Sequence, residues 1–281
     1  MWPFSKKITI AESGILRGAT DHHSHILPGV DDGVESMEEA LHILAKYEAA
    51  GVKELWLTPH IMEDIPNTPD KLLARFAELQ AAYTGSITLH LAAEYMIDNH
   101  LRNLLMNCHS VTNNCPSFNE GQLVGALHGK RAQETALCHF EPKGEISTTK
   151  EELLPIGTKG NHLLVETSYY NPPMRLHETL RKIKSLGYHP LLAHPERYMY
   201  MDKDEYQTLH QEGVKFQLNL PSICGGYGNT VKKRALWLLK EGLYDAIGSD
   251  THCEEGLEYL LEAKIKEGTQ KALQKLLSST L

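Results

Sequence analysis

The chain has 281 residues, of which 41% are hydrophobic, and it carries a formal net charge of −8. This length suits one large α/β domain or two small ones with a sizeable core. The negative charge argues against a nucleic-acid-binding protein that works through a broad basic surface. The first residues are too few and too polar for a secretory signal, and no apolar run is long enough to span a membrane, so we expect a cytoplasmic protein.

Two residue types bear on the chemistry. The chain has five cysteines, and an odd number without a secretory signal predicts free thiols in a reducing compartment. It also has sixteen histidines, more than acid–base catalysis alone requires. Imidazole is a common ligand of transition metals, so the positions of these histidines decide their interpretation.

Short apolar runs alternate along the chain with stretches of helical period. The predicted strands are 15–20, 52–58, 87–93, 162–165, 190–193, 214–220 and 244–248. The predicted helices are 36–50, 69–83, 176–186, 203–211, 231–241 and 255–266. Seven strand-then-helix units predict parallel strands covered by helices, and in such barrels the chemistry lies at the carboxyl ends of the strands.

One segment, 107–150, breaks this alternation and is interpreted as an insertion or a long loop. It contains Cys108, Cys115 and Cys138, with His109 and His139 nearby. Their spacing fits no common zinc module, so free thiols are the favoured interpretation.

The first and last predicted strands end in a similar pattern. His23 and His25 are two residues apart, so both side chains point to one side of an extended strand, and Asp21 shares that side. Asp250 and His252 repeat the arrangement on the last strand. The two pairs become neighbours if the barrel closes, and together they predict a metal site.

Other candidate ligands stand alone at strand ends, and these are His60, Glu94, Glu166 and His194. Both glutamates follow apolar runs, where a carboxylate is unfavourable unless it is paired or bound to a metal. In the first loop, one of Asp31 and Asp32 could reach the cluster, although a solvated turn is the alternative.

An arginine follows His194 by three residues. The planar guanidinium of Arg197 suits a phosphoryl group, and a surface ion pair with Glu196 is the alternative. The basic run 232–234 is interpreted as a solvated helix face.

Seven motifs occur in a characteristic order. They are Asp-x-His-Ser-His-x-Leu-Pro-Gly-Val-Asp-Asp-Gly, Thr-Pro-His, Ala-Glu-Tyr, Leu-Val-Glu-Thr-Ser, Ala-His-Pro-Glu-Arg-Tyr, Gln-Leu-Asn and Gly-Ser-Asp-Thr-His. In this combination the chain resembles the PHP (polymerase and histidinol phosphatase) superfamily. Within it, the chain is similar to the bacterial manganese-dependent tyrosine-protein phosphatases of capsular and exopolysaccharide operons. The resemblance covers roughly residues 18–106 and 150–255.

The resemblance implies a single domain over 1–281, folded as a distorted seven-stranded α/β barrel with an atypical insertion at 107–150. It implies three divalent cations, as Mn²⁺ with Fe or Zn as alternatives. The implied metal ligands are His23, His25, Asp32, His60, Glu94, Glu166, His194, Asp250 and His252. Arg197 would bind phosphate, with Asp250 and His252 beside it in catalysis. An arginine that some members carry soon after Asp-x-His is absent from 253–266.

The implied reaction is hydrolysis of a phosphate monoester by a metal-activated hydroxide. The implied substrate is a phosphotyrosine-bearing protein, namely a bacterial tyrosine kinase that controls polysaccharide synthesis or export. A cysteine phosphatase is disfavoured because no cysteine is followed by the Cys-x5-Arg spacing.

Three alternatives stay open. The first is a histidinol-phosphatase-like enzyme acting on small phosphomonoesters, and the second is an amidohydrolase-type barrel acting on C–N bonds. The third is a non-catalytic regulatory protein stabilised by metal. The sequence indicates neither the oligomeric state nor the metal used in the cell.

Overall fold

The computed structural model describes residues 7–108, 153–157 and 159–278, and these form a mixed α/β fold. Nearly all of the predicted insertion 107–150 lies outside the described residues, and so do Cys115 and Cys138. No helix in the described part of the chain is both long and apolar enough to cross a membrane.

A curled sheet of six parallel strands is the main element of the fold. In spatial order its strands are β10 (Ala246–Gly248), β9 (Lys215–Asn219), β8 (His189–Ala193), β7 (His162–Glu166), β6 (Glu94–Met96) and β4 (His60–Ile61). A second parallel sheet contains β2 (Thr20–Asp21), β3 (Glu54–Leu57) and β5 (Thr88–Leu91). The short strands β1 (Lys7–Thr9) and β11 (Lys264–Lys266) pair antiparallel. The predicted parallel α/β architecture is therefore confirmed.

The predicted count of seven strands is not confirmed, because the chain passes from the second sheet to the main sheet just after two of the predicted strands. The run 52–58 becomes β3, and the chain enters β4 after Pro59, which has no backbone N–H to donate to a ladder. The run 87–93 becomes β5, and β6 follows after Ala93. The predicted strand 15–20 is mostly turn, and only Thr20–Asp21 pairs as a strand.

Backbone hydrogen bonds join the segment after β2 to β10. His22 N donates to Ile247 O at 3.0 Å, and Asp250 N donates to His23 O at 2.8 Å. His25 N then donates to Thr251 O at 2.9 Å. These bonds place the first and last candidate ligand pairs side by side.

Ten helices of the described residues surround the sheets. They are α1 (Ile10–Ser13), α2 (Met37–Ala50), α3 (Pro69–Ala82), α4 (Asn99–Asn107), α5 (Leu176–Ser185), α6 (Lys203–Gln211), α7 (Leu220–Cys224), α8 (Gly228–Glu241), α9 (Glu254–Glu262) and α10 (Glu267–Leu277). The predicted helix 36–50 is capped at its start, since the Ser36 side chain accepts from Glu39 N. The predicted helix 255–266 ends earlier, at Glu262, where the chain turns into β11.

Both faces of the main sheet are buried. On β7, Leu163 and Val165 pack in the large cluster beneath the helices. Leu164 faces the opposite way, into a small apolar cluster with Leu191 and Ala193 of β8. Buried parallel strands with helices outside leave their carboxyl ends as the place where polar side chains can gather.

Candidate metal centre

The two histidines after β2 point at the same carboxylate. His23 Nε2 lies 3.0 Å from His25 Nε2, and both side chains are fully buried. Glu94 Oε2 is 3.1 Å from the first nitrogen and 3.2 Å from the second. Two imidazole nitrogens and one carboxylate oxygen thus converge on one point, as the ligands of a transition metal do.

Glu94 connects this group with two further histidines. Its Oε1 lies 3.1 Å from His194 Nε2, and its Oε2 lies 3.3 Å from His60 Nδ1. Glu166 Oε1 is 3.3 Å from the same His60 nitrogen. His60, Glu94 and Glu166 are therefore close enough to share a second ion.

A third group lies nearer the solvent. Asp32 Oδ1 is 3.4 Å from His60 Nε2 and 3.6 Å from His252 Nε2. The ring of His25 stacks on that of His252 with centroids 4.0 Å apart. Of the two acids in the first loop, it is Asp32 that reaches the cluster, together with these three histidines.

Asp250 faces the cluster with one oxygen only. Its Oδ1 lies 3.4 Å from His23 Nε2 and 3.6 Å from His25 Nε2. Its Oδ2 accepts hydrogen bonds from Arg197 Nη1 at 3.0 Å and from Asn219 Nδ2 at 2.7 Å. All nine predicted ligands are thus brought together at one end of the main sheet.

The backbone is strained at two of these ligands. Three non-glycine residues in the described ranges have positive φ, and two of them are His194 (φ 33°) and Asp250 (φ 55°). This conformation is unfavourable for side chains with a Cβ, and it persists where the surrounding structure enforces it, often at functional sites.

Two residues that orient the imidazoles of His23 and His25 were not predicted from the sequence to do so. Asp31 Oδ2 accepts from His25 Nδ1 at 2.8 Å, and Gln217 Oε1 accepts from His23 Nδ1 at 2.9 Å. Both bonds place the proton on Nδ1 and leave the Nε2 lone pair directed at the cluster, as metal-binding histidines require. Gln217 and Asn219 are two residues apart on β9, so the alternation that links His23 with His25 also places these two amides on one face of the strand.

Asp21 was expected to lie on the same side of the strand as the side chains of His23 and His25, but it does not. Its Oδ1 accepts from the backbone N–H groups of His23 and Ser249, at 3.1 and 2.9 Å. Burial raises its pKa above the usual range, although these hydrogen bonds oppose the change. Asp21 therefore links the first strand to the last one through backbone N–H groups.

Arg197 lies in the site and not on the surface. Its guanidinium carbon is 4.2 Å from the ring centroids of both Tyr169 and Tyr227, so the group lies between two aromatic faces. The expected alternative, an ion pair with Glu196, is wrong. Glu196 is fully buried and accepts from Asn219 N at 3.0 Å and from Tyr244 OH at 2.9 Å.

The basic run 232–234 was interpreted as a solvated face, but its last member has a structural role. Arg234 Nη1 donates to the carbonyl oxygens of Glu196 and Tyr198. These flank Arg197 in the 3-10 helix Pro195–Arg197. Arg234 thus holds the turn that presents Arg197, while Lys233 is exposed.

The electrostatics of the cluster fit bound cations. Burial raises the pKa of Glu166 well above its usual range, and the nearby carboxylates of Glu94 and Asp250 raise it further. His60 Nδ1 is buried and makes no hydrogen bond, although it faces two carboxylates at 3.3 Å. Divalent cations among these atoms would both compensate the crowded negative charge and give the imidazole nitrogen a partner.

The cluster opens into a cleft of about 880 Å³. Tyr169, Tyr170, Tyr227 and Tyr259 line it beside the metal-binding side chains. Among the described residues that line the cleft, Arg197 is the one arginine, and no lysine is present. The site therefore combines a cluster of potential metal ligands, a single guanidinium and an aromatic mouth.

These features define an α/β protein with a cluster of histidine and carboxylate side chains that could bind metal ions at one end of a curled parallel sheet. The chain belongs to the capsular polysaccharide synthesis CpsB/CapC family, whose sequence model matches residues 19–116 and 144–276. The predicted family is thereby confirmed. Residues 117–143, which the match leaves out, fall within the predicted insertion.

Curated relatives match most of the chain. It is 24% identical over 264 residues to the putative tyrosine-protein phosphatase CapC of Staphylococcus aureus, covering 93% of this chain and 88% of that protein. It is 26% identical over 245 residues to the tyrosine-protein phosphatase CpsB of Streptococcus pneumoniae, covering 83% and 82%.

One solved structure supports the fold over nearly the whole chain. It comes from a study of YwqE from Bacillus subtilis and CpsB from Streptococcus pneumoniae, described there as unique metal-dependent tyrosine phosphatases. The TM-score is 0.65 at 18% identity, with 93% of this chain and 95% of the other covered.

Proposed function

We propose that this chain is a metal-dependent protein-tyrosine phosphatase, which hydrolyses the phosphate monoester of a phosphotyrosine side chain. The observation that carries the proposal is the convergence of nine imidazole and carboxylate ligands with Arg197 in one cleft. The curated relatives named above are tyrosine-protein phosphatases, and this agrees with the chemistry of the site.

The ligands would hold three divalent cations, and Mn²⁺ is our first choice because imidazole and carboxylate ligands together suit Mn, Fe and Zn. The groups that could each hold one ion are His23–His25–Glu94, His60–Glu94–Glu166 and His25–Asp32–His60–His252. His194 and Asp250 complete the inner part of the cluster. Bound cations supply an activated water as nucleophile and neutralise charge on the phosphoryl oxygens.

The protein side chains bind and orient the substrate. Arg197 offers a planar set of N–H donors to the phosphoryl oxygens, and its stacking between Tyr169 and Tyr227 fixes the plane of that donor set. Asp250 orients the guanidinium through the 3.0 Å bond. His252 is the most exposed imidazole of the cluster, with 32% of its side chain accessible, so it lies nearest the incoming substrate. Tyrosinate has a conjugate-acid pKa of about 10 and leaves with little proton donation.

The broader assignment follows the family. We propose that the substrate is a bacterial tyrosine kinase controlling polysaccharide synthesis or export, and that the chain acts in the cytoplasm as a single domain. With β3 and β4 counted as one strand, and β5 and β6 as another, the two parallel sheets would together form one distorted seven-stranded barrel. The hydrogen bonds between the residues after β2 and those of β10 support this closure.

The test is phosphate release from a phosphotyrosyl peptide by metal-stripped protein, with and without Mn²⁺, Fe²⁺ or Zn²⁺. The His23→Ala/His25→Ala variant removes the site. His177→Ala is the matched control, because His177 pairs with Glu205 on the surface outside the cluster.

Metal-dependent turnover that is lost in the double variant and kept in the control would support the proposal. Folded, metal-loaded protein that releases phosphate from histidinol phosphate but not from the peptide would favour the small-molecule phosphatase. Bound metal with no turnover on either substrate would favour the regulatory protein.

A further inference from the structure

Three buried hydroxyl groups form a closed ring of hydrogen bonds behind the candidate metal ligands. Tyr47 OH donates to Thr251 Oγ1 at 2.7 Å, and Thr251 Oγ1 donates to Ser249 Oγ at 2.9 Å. Ser249 Oγ lies 2.5 Å from Tyr47 OH, so it can donate back and close this hydroxyl ring. All three residues are at most 3% exposed, and hydrogen bonds that run in a closed chain at low dielectric strengthen one another.

The hydroxyl ring spans the backbone of Asp250. Ser249 and Thr251 are the two chain neighbours of Asp250, and the side chains of both are bonded to Tyr47 of α2. The Asp250 side chain instead faces the cluster, where its Oδ1 lies 3.4 Å from His23 Nε2. The ring therefore fixes the residues on either side of Asp250 while the carboxylate is directed at the candidate ligands.

Asp250 needs such support because its backbone is strained. Its φ of 55° lies in the left-handed region, which is unfavourable for a residue with a Cβ and persists only where neighbouring groups enforce it. Backbone bonds hold this turn from the side of the first strand, since Asp250 N donates to His23 O at 2.8 Å and His25 N donates to Thr251 O at 2.9 Å. Tyr47 holds it from the side of a helix, through the two neighbouring hydroxyl groups.

We propose that Tyr47 is a positioning residue of the candidate metal centre, whose hydroxyl closes the ring that keeps Asp250 in its left-handed conformation with Oδ1 directed at His23 and His25. This inference rests on the proposed function, because it requires that the cluster binds metal. Without the Tyr47 hydroxyl, the peptides on both sides of Asp250 can relax towards an ordinary φ, and the carboxylate then turns away from the two histidines. The expected consequence is weaker metal binding in a variant that is still folded.

The test uses Tyr47→Phe in the full-length chain, which removes one oxygen atom and keeps the buried aromatic ring. The fold is expected to survive, because Thr251 Oγ1 still donates to Ser249 Oγ. Tyr83→Phe is the matched control, since Tyr83 OH accepts from Ile87 N at 3.1 Å outside the cluster. Thr251→Val opens the same hydroxyl ring at another member with little change in side-chain shape, and it replaces Tyr47→Phe in every measurement if that variant unfolds.

The affinity for Mn²⁺ is measured by competition with a chelator, and the free energy of unfolding is measured in excess chelator. We expect Tyr47→Phe to bind Mn²⁺ about tenfold more weakly than the wild type, and Tyr83→Phe to bind it equally well. In an Asp250→Ala background, Tyr47→Phe should have no further effect on Mn²⁺ affinity, because the residue through which it acts is gone. Binding stays measurable there, since the three candidate ion groups named above are made of other residues.

Unchanged Mn²⁺ affinity in Tyr47→Phe would overturn the inference whatever its effect on unfolding, because Tyr47 would then support the fold alone. The same weakening with and without Asp250 would also overturn it, because the hydroxyl ring would then act on the cluster by another route. Neither result touches the proposed function. That function fails instead if the wild-type protein binds no divalent cation, or binds one and releases no phosphate from a phosphotyrosyl peptide.

Discussion

At the scale of single residues, Glu94 is the centre of the site. Its two oxygens lie between 3.1 and 3.3 Å from His23, His25, His60 and His194. Burial opposes its ionisation, but His23 and the hydrogen-bonded histidines hold the pKa of Glu94 well below its usual range. A carboxylate that stays ionised at full burial would be an available ligand for either of the two candidate ion groups that contain it.

Arg197→Lys tests whether the planar guanidinium matters. A lysine keeps the positive charge but can neither stack fully between Tyr169 and Tyr227 nor donate two parallel bonds. We expect kcat/KM for a phosphotyrosyl peptide to fall by about 10–100-fold, mainly through a higher KM. Arg175→Lys is the control, because Arg175 is 70% exposed and pairs only loosely with Glu178. If Arg197→Lys and Arg175→Lys had the same kcat/KM, the guanidinium of Arg197 would not be needed for phosphate binding.

Asp31→Asn tests the residue that orients His25. An amide can accept from His25 Nδ1 only weakly, and it loses the charge that favours the Nδ1–H form. We expect Mn²⁺ affinity to fall by about 10–100-fold with the fold retained, measured by chelator competition and circular dichroism. Asp64→Asn, at an exposed loop position, should bind Mn²⁺ like the wild type. An unchanged affinity in Asp31→Asn would show that His25 needs no partner.

The sequence allowed most of the ligands to be predicted because they lie at the ends of apolar runs, where an imidazole or carboxylate is conspicuous, whereas Asp32 lies in a loop and was chosen over Asp31 through the family resemblance. Their partners were harder to predict. Gln217 contacts His23 across 194 residues of sequence, and Asn219 contacts Asp250 from the next strand. Neutral amides are common at strand ends, so their role becomes visible only when the strands are placed side by side.

At the scale of elements, the approach of the last strand to the first is controlled by a glycine. A Cβ on Gly248 would lie 2.4 Å from His23 Cβ and 2.5 Å from Gln217 Nε2. Since normal contacts between such atoms are longer than 3 Å, β10 can pack this closely against His23 only without a side chain at position 248. The geometry of the first ligand pair therefore depends on the last strand.

Gly248→Ala should consequently displace His23 or push β10 outward. We expect a loss of about 1–3 kcal/mol in unfolding free energy and weaker Mn²⁺ binding, measured by denaturant unfolding and chelator competition. Gly268→Ala in α10 is the control, because its Cβ would meet nothing within 4 Å and alanine favours a helix. A Gly248→Ala variant as stable as the wild type would show that the sheets can separate at no cost.

The helices that pack on strands were predicted well, because their apolar period and caps are local signals. Strand pairing was predicted less well. The steps from β3 to β4 and from β5 to β6, where the chain passes from one sheet to the other, depend on which strands each segment meets, and those strands lie elsewhere in the sequence. The helix α4 was not predicted, although Asp98 caps it by accepting from Leu101 N, because it adjoins a segment with no clear period.

At the scale of the whole molecule, the metal cluster should govern stability. Ligands come from β4, β6, β7 and the segments after β2, β8 and β10, so bound cations would link both parallel sheets. A ligand that binds only the folded state stabilises it by about 2.7 kcal/mol at a hundred times its dissociation constant. Chelated protein should therefore unfold at a lower temperature than Mn²⁺-loaded protein.

The Glu166→Gln variant distinguishes the contribution of Glu166 to metal binding from its contribution to the stability of the fold. In chelator, the wild type holds Glu94, Glu166 and Asp250 close together, and burial disfavours their charge. Burial and the nearby carboxylates raise the pKa of Glu166 and so disfavour its charged form. A neutral amide of the same size cannot ionise, so the metal-free variant should unfold at a temperature no lower than the wild type. It should gain less stability from Mn²⁺, because it keeps one fewer anionic ligand. Thermal unfolding of both proteins with Mn²⁺ and with chelator measures the two effects. A variant that is less stable in chelator but equally stabilised by Mn²⁺ would mean that Glu166 supports the fold and not the ions.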